Sequence, residues 1–237
     1  MTVTRTTTAY ATTTGIALPG QPTAPARERC GELPHARLRS RGGTPIAPVV
    51  RDLRDRAGRS PHGLLFGPRD LVVVTGLPGS GKSTLMHRTV QGIRVDSQDT
   101  RDRWDDRLAR FLPYAVYRPL VRLAHYAGLR RALRTGEGVV VHDCGTQAWV
   151  RDWLAREAHR RGGTLHLLLL DVTPGTALDG QRERGRGVSR YAFLRHRRAA
   201  GRLLRAAEKG ELPEGVGSAV LLDRAAADVL HRIGFER

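Results

Sequence analysis

The sequence predicts a three-layer α/β domain, a parallel sheet with helices on both faces. Three observations carry that expectation. Short, nearly continuous apolar runs recur at Leu71–Thr75, Ile93–Asp96, Gly138–His142, Leu165–Asp171 and Ala219–Leu222. Helix-compatible segments alternate with them at 83–91, 100–112, 114–134, 146–161, 175–184, 190–208 and 224–233. Strands buried on both faces read as unbroken apolar runs, and helical crossovers between them indicate a parallel sheet. The third observation is a glycine-rich turn, Gly76–Thr84, placed between the first of these strands and the first of these helices. That is where the carboxyl edge of a parallel sheet puts its reactive groups.

In chain order, residues 1–45 are rich in Thr, Pro, Gly and Arg and carry no sustained apolar period, so they read as a disordered tail. Residues 46–63 read as a linker or short helix, with Ile46, Val49, Val50 and Leu53 as its apolar positions. The α/β domain then spans 64–237. Within it, Val116, Leu120, Leu123 and Ala127 repeat at helical spacing along 114–134 and are read as packing positions. Helix 146–161 has Thr146 to cap its start and Gly162-Gly163 to stop it, and Trp149, Val150, Trp153, Leu154 and Ala158 form a face assigned to the core.

Composition limits the partners. The chain has 237 residues, 40% hydrophobic and only 5% aromatic, so aliphatic packing dominates the core. No apolar run approaches the roughly 18–20 residues of a membrane-spanning helix, so no membrane role is expected. Cys30 and Cys144 lie far apart in sequence, which argues against a disulfide framework and for a cytoplasmic location. The formal net charge of +17 favours anionic partners: nucleotides, anionic small molecules or nucleic acid.

The turn itself is the most informative feature. Gly76-Leu77-Pro78-Gly79-Ser80-Gly81-Lys82-Ser83 fits G-x-x-x-x-G-K-[ST], in the strand–loop–helix context that the motif requires. Glycines let successive backbone N–H groups converge on a phosphate, and the helix that follows adds its positive dipole end. Lys82 is one of only two lysines among 40 basic residues, yet it stands where a compact ammonium rather than a guanidinium fork is needed. The loop Gly76, Pro78, Gly79, Ser80, Gly81, Lys82, Ser83 and Thr84 is therefore expected to bind ATP, with Ser83 on Mg²⁺.

Three further segments carry chemistry-bearing residues. The second strand leads into Asp96-Ser97-Gln98-Asp99-Thr100-Arg101, where a carboxylate can face the γ-phosphate and an arginine can hold an anionic acceptor. Asp96 is the expected functional acid and Asp99 the expected helix cap. The third strand ends in Val139-Val140-Val141-His142-Asp143, a Walker-B-like arrangement in which Asp143 supports the metal. Arg182-Glu183-Arg184-Gly185-Arg186-Gly187 reads as a cationic lid, with Arg182, Arg184 and Arg186 closing over phosphates.

With these segments in place, residues of about 68–225 resemble the P-loop kinase group that includes polynucleotide 5′-kinases, adenylyl-sulfate kinases and zeta-toxin-type kinases. The resemblance rests on the order of phosphate loop, Asp-bearing second strand end, Val-Val-Val-His-Asp and arginine-rich lid. It implies a P-loop nucleoside-triphosphate hydrolase fold, a five-stranded sheet of order 2-3-1-4-5, and transfer of the ATP γ-phosphoryl group to a hydroxyl. It also implies a base Asp three residues before the substrate-binding arginine. With Arg101 as that arginine, the base position holds Gln98, so either Asp96 takes the role or transfer is weak or absent. Two readings follow: a kinase acting on a small-molecule or 5′-hydroxyl nucleic-acid acceptor, or a nucleotide-binding switch or regulatory ATPase. Nucleic-acid binding is compatible with both.

Overall fold

The computed structural model describes residues 31–32, 48–56, 59–108, 111, 113–143, 146–185 and 187–236. The expected tail, Gly31–Glu32 apart, lies outside the described residues up to 47, as do Cys144 and Arg186. The strands are β1 (Gly31–Glu32), β2 (Val49–Asp52), β3 (Gly63–Phe66), β4 (Leu71–Gly76), β5 (Ile93–Val95), β6 (Val139–His142), β7 (Leu165–Leu170), β8 (Val216–Leu222) and β9 (Arg232–Phe235). The helices are α1 (Lys82–Thr89), α2 (Ser97–Leu108), α3 (Tyr114–Arg134), α4 (Ala148–Arg160), α5 (Pro174–Arg182), α6 (Arg190–Glu208) and α7 (Arg224–Val229).

The main sheet is parallel throughout, in the order β2-β8-β7-β4-β6-β5. The five strands other than β2, read as β5-β6-β4-β7-β8, follow the 2-3-1-4-5 order that the family resemblance implies. β4, β7 and β8 are buried along their whole length, as unbroken apolar runs demand. Alternate side chains feed two cores. Val72, Val74 and Leu168 pack with Leu85 and Met86 of α1 and with Phe193 of α6. Leu71, Val73 and Leu167 pack with Leu129 and Leu133 of α3 and Leu154 of α4.

The edges differ from expectation. Residues 46–63 contain no helix among those described: Val49–Asp52 is the sixth strand, paired with Ser218–Leu221 of β8. The exposed edge of β8 offers backbone partners, and the β-branched Val49-Val50 pair suits a strand better than a helix. The sheet therefore starts before residue 64. Arg54 secures its end, donating to Asp52, to Asp171 at 2.8 Å and to Glu208 at 2.9 Å. The helix expected over 224–233 stops at Val229, because Arg232–Phe235 pairs with β3 in a second, small sheet β1-β3-β9.

Two helical faces are also corrected. α3 carries two apolar stripes, and the fold buries the one with Tyr117, Val121, Leu129 and Leu133. Val116, Leu120, Leu123 and Ala127 lie on the other and are exposed. In α4, Gln147 rather than Thr146 holds the N-cap position, with no side-chain cap bond. Trp153 packs at the core margin, but Trp149, one turn earlier on the same helix, is 54% exposed and leans on Tyr126 of α3.

Candidate active site

β4 delivers the phosphate loop to the carboxyl edge of the sheet, between β6 and β7. Gly79 and Gly81 adopt φ of 87° and 91°, in the left-handed region where a side chain is strained. A Cβ on Gly79 would also meet the Ala177 carbonyl oxygen at 2.0 Å, so α5 lies directly against the loop. Gly79→Ala is expected to weaken MgATP binding about tenfold or more, as read by calorimetry, because strain and backbone collision act together. Wild-type affinity in that variant would mean that the loop does not hold the nucleotide.

Lys82 opens α1 and is 4% exposed. Its Nζ donates to the carbonyls of Gly76 at 3.0 Å and Leu77 at 2.6 Å, and lies 3.5 Å from Ser80 Oγ. The ammonium is thus held over the same loop whose N–H groups form the anion cradle. Gln181, buried in α5, donates from Nε2 to the Pro78 carbonyl at 3.0 Å and accepts at Oε1 from the Val188 N–H at 3.0 Å. It joins the loop to the segment after the lid.

Asp96 is 3% exposed and follows β5 directly. His142 Nδ1 lies 2.7 Å from its Oδ1, and the Gln98 N–H donates to the same oxygen at 2.8 Å. Asp96 is therefore the residue that caps α2. Burial pushes its carboxyl up, but the hydrogen bond and charge of His142, the Ser83 side chain and the Gln98 N–H outweigh burial and hold it well below the usual carboxylate range. It is ionised and faces the phosphate loop. Asp99, the expected cap, instead pairs with His87 at 2.9 Å and Arg94 at 3.7 Å.

Asp143 comes alongside the loop strand. Its N–H donates to the Val74 carbonyl at 3.1 Å, and its own carbonyl accepts from Thr75 Oγ1 at 2.8 Å. Its carboxylate lies 4.0 Å from the Arg151 guanidinium. Gln98 donates to Asp102, and Arg101 turns to Asp105 at 3.4 Å, along its own helix. Of the lid arginines, Arg184 reaches Thr84 Oγ1 at 3.4 Å, whereas Arg182 pairs with Asp179 on the exposed surface. Arg186 lies outside the described residues.

An open cleft of about 710 Å³ is lined by Ser83, Thr84, His87, Arg88, Gln98, Asp102 and Arg184. Its size suits a nucleotide with part of an acceptor. The Ser83 hydroxyl with the Asp96 and Asp143 carboxylates supplies hard oxygen donors, the set that magnesium prefers. Asp96 Oδ2 in particular is buried without a well-formed hydrogen bond. The residues present fit both ATP and Mg²⁺.

Sequence reasoning missed Gln181 and Arg224. Arg224, at the start of α7, brings Nη1 within 3.1 Å of where a Cβ on Gly81 would stand. Neither belongs to a local motif. Each reaches the loop only through the long-range packing of α5 or the crossover after β8.

The AAA-domain family profile matches residues 71–207, more than half of the chain. The chain belongs to this family, and its phosphate loop, strand ends and sheet order place it in the P-loop group. Among solved structures, it is similar to one from the PezAT chromosomal toxin–antitoxin system of Streptococcus pneumoniae, with a TM-score of 0.50 and 13% identity over 71% of this chain and 79% of that one. That likeness shows a shared fold. Similarities with lower TM-scores include a putative kinase from Chloroflexus aurantiacus (0.45; 14% identity; 67% and 87% of the two chains) and a gluconokinase from Sinorhizobium meliloti (0.39; 18%; 69% and 92%). No curated protein matches the sequence. Among the described residues, no helix is long and apolar enough to cross a membrane.

Proposed function

We propose that this chain is an ATP-dependent phosphotransferase that moves the γ-phosphoryl group to a hydroxyl of a small-molecule or nucleic-acid acceptor. The observation that supports it most is Asp96: a buried, ionised carboxylate aligned by His142 and set against Ser83 of the phosphate loop. A carboxylate held ionised beside the phosphate loop is placed to orient an acceptor hydroxyl.

In this reading the N–H groups of Gly79–Thr84 and the Lys82 ammonium bind the β- and γ-phosphates. Mg²⁺, held by Ser83 and Asp143, neutralises phosphate charge when bound. Arg184, already at Thr84, balances charge from the lid side, with Arg182 and Arg186 on the same segment. Arg101 and Arg88 add positive potential on the acceptor side. The acceptor oxygen forms a bond to the γ-phosphorus as the bond to the β,γ-bridging oxygen breaks, and the hydroxyl proton passes to Asp96 while ADP leaves. Because the Asp96 pKa is held low, the carboxylate serves first as a hydrogen-bond acceptor that orients the hydroxyl. Loose phosphoryl transfer depends more on such positioning than on a strong base.

The second reading, a regulatory ATPase, draws on Gln98, whose amide is engaged with Asp102 and takes no proton. Incubation with γ-labelled ATP and pooled nucleosides, 5′-hydroxyl oligonucleotides, sugar nucleotides and aminoglycosides separates the two. Label on an acceptor is the expected result; label released only as inorganic phosphate would replace the kinase with the ATPase.

A further inference from the structure

Trp149 stands in the first turn of α4, past the carboxyl end of β6, on the side of the sheet that carries Asp96 and Asp143. It is 54% exposed, although tryptophan is a residue that folding normally covers. Its ring leans on Tyr126 of α3, with centroids 5.5 Å apart and planes at 45°. Tyr126 is itself fixed, since its hydroxyl donates to Gln147 Oε1 at 3.0 Å. His125 continues the row at 5.5 Å from Tyr126, and burial pushes its imidazole pKa below the usual value, with the His142 charge adding to that shift and the Asp96 charge opposing it. The three rings form a row that runs inward from the exposed Trp149 at the carboxyl end of the sheet, the end that also carries Asp96 and His142.

The inner end of the row has unused polar atoms. His142 Nδ1 lies 2.7 Å from Asp96 Oδ1 and 2.9 Å from Ser97 Oγ, so that nitrogen is fully engaged. His142 Nε2 is buried without a hydrogen-bond partner, and so is His125 Nδ1. Buried polar atoms without partners are costly, and a pair of them beside an oriented carboxylate indicates a site shaped for a polar ligand.

We infer that Trp149, backed by Tyr126, is a stacking ledge for the base of a nucleoside-type acceptor, whose hydroxylated part reaches His142 and Asp96. This rests on the phosphotransferase reading and adds the acceptor class to it. An exposed indole face favours a flat π-surface, and stacking tolerates any base, so the ledge selects nucleosides as a class. A sugar without a base would gain nothing from it.

The test is calorimetry on the full chain, loaded with Mg²⁺ and a non-hydrolysable ATP analogue so that added nucleosides cannot enter the ATP site. Adenosine, guanosine, cytidine and uridine are titrated in turn, with ribose as the base-free probe. At least one nucleoside is expected to bind saturably, with Trp149→Ala weakening it about tenfold or more and Trp149→Phe keeping it within about threefold. Affinity for the ATP analogue should be unchanged in both variants. Ribose binding as tightly as the nucleosides, no nucleoside binding, or full affinity in Trp149→Ala each overturns the ledge. If nucleosides bind as expected but accept no label from γ-labelled ATP, the ledge stands and the kinase reading falls. A wild-type chain that fails to bind the analogue refutes both.

Discussion

Lys82→Ala is expected to reduce phosphoryl turnover by at least about 10²–10³-fold, the usual loss when a preorganised donor is removed from charge that develops in a transition state. The side chain is buried and clasped by the Gly76 and Leu77 carbonyls, which fix its ammonium at the loop. Lys82→Arg should fail nearly as badly. A planar guanidinium is bulkier than an ammonium, and the space above the loop is closed on the carbonyl side. Single-turnover kinetics with labelled ATP gives the rate, and circular dichroism checks that the fold survives. Wild-type turnover in either variant would remove the phosphate loop from the mechanism.

Asp96→Asn is expected to cut transfer by about 10²-fold or more while MgATP affinity stays within a few-fold. Asparagine is nearly as good an N-cap as aspartate, so the bond to the Gln98 N–H persists and α2 keeps its start. What disappears is the negative charge that faces Ser83 and His142. Asp99→Asn provides the contrast: it removes a surface pair with His87 and Arg94, of little energetic weight, and should leave turnover unchanged. An Asp96→Asn enzyme with normal transfer would assign the carboxylate to helix capping alone.

Much of this arrangement was legible in the sequence because it is local. The loop, its strand and α1 are contiguous, and the acids sit at strand ends that apolar runs announce. Where the reading failed, partners distant in the chain decide. Val49–Asp52 is apolar enough for either a strand or a short helix, and only the free edge of β8 selects the strand. Arg232–Phe235 looks like the tail of α7 until β3 is beside it. α3 offers two stripes of similar hydrophobicity, and the buried one includes Tyr117, whose hydroxyl bonds Asp105 at 2.6 Å across to α2. Spacing puts Trp149 on one helical face with Trp153, but it does not say how much of that face the fold covers. Asp99 was taken for the cap because it sits inside the expected first turn; α2 begins earlier, at Ser97, and the cap moves to Asp96.

The pairing of β2 with β8 has a consequence for how the chain is made. A ribosome releases Val49–Asp52 long before Ser218–Leu221, and β3 long before its partner β9. During synthesis both early strands wait with unpaired edges while β4 to β7 emerge and can already associate. The central strands and the phosphate loop can thus assemble on the nascent chain, but the outer strand and the small sheet close only when β8 and β9 have appeared. Contacts of such long sequence separation form slowly, and open edges invite wrong partners in the interval. Arg54, with its anchors on Asp171 and Glu208, then acts as a late clasp whose carboxylates become available only after β7 and α6 have been translated.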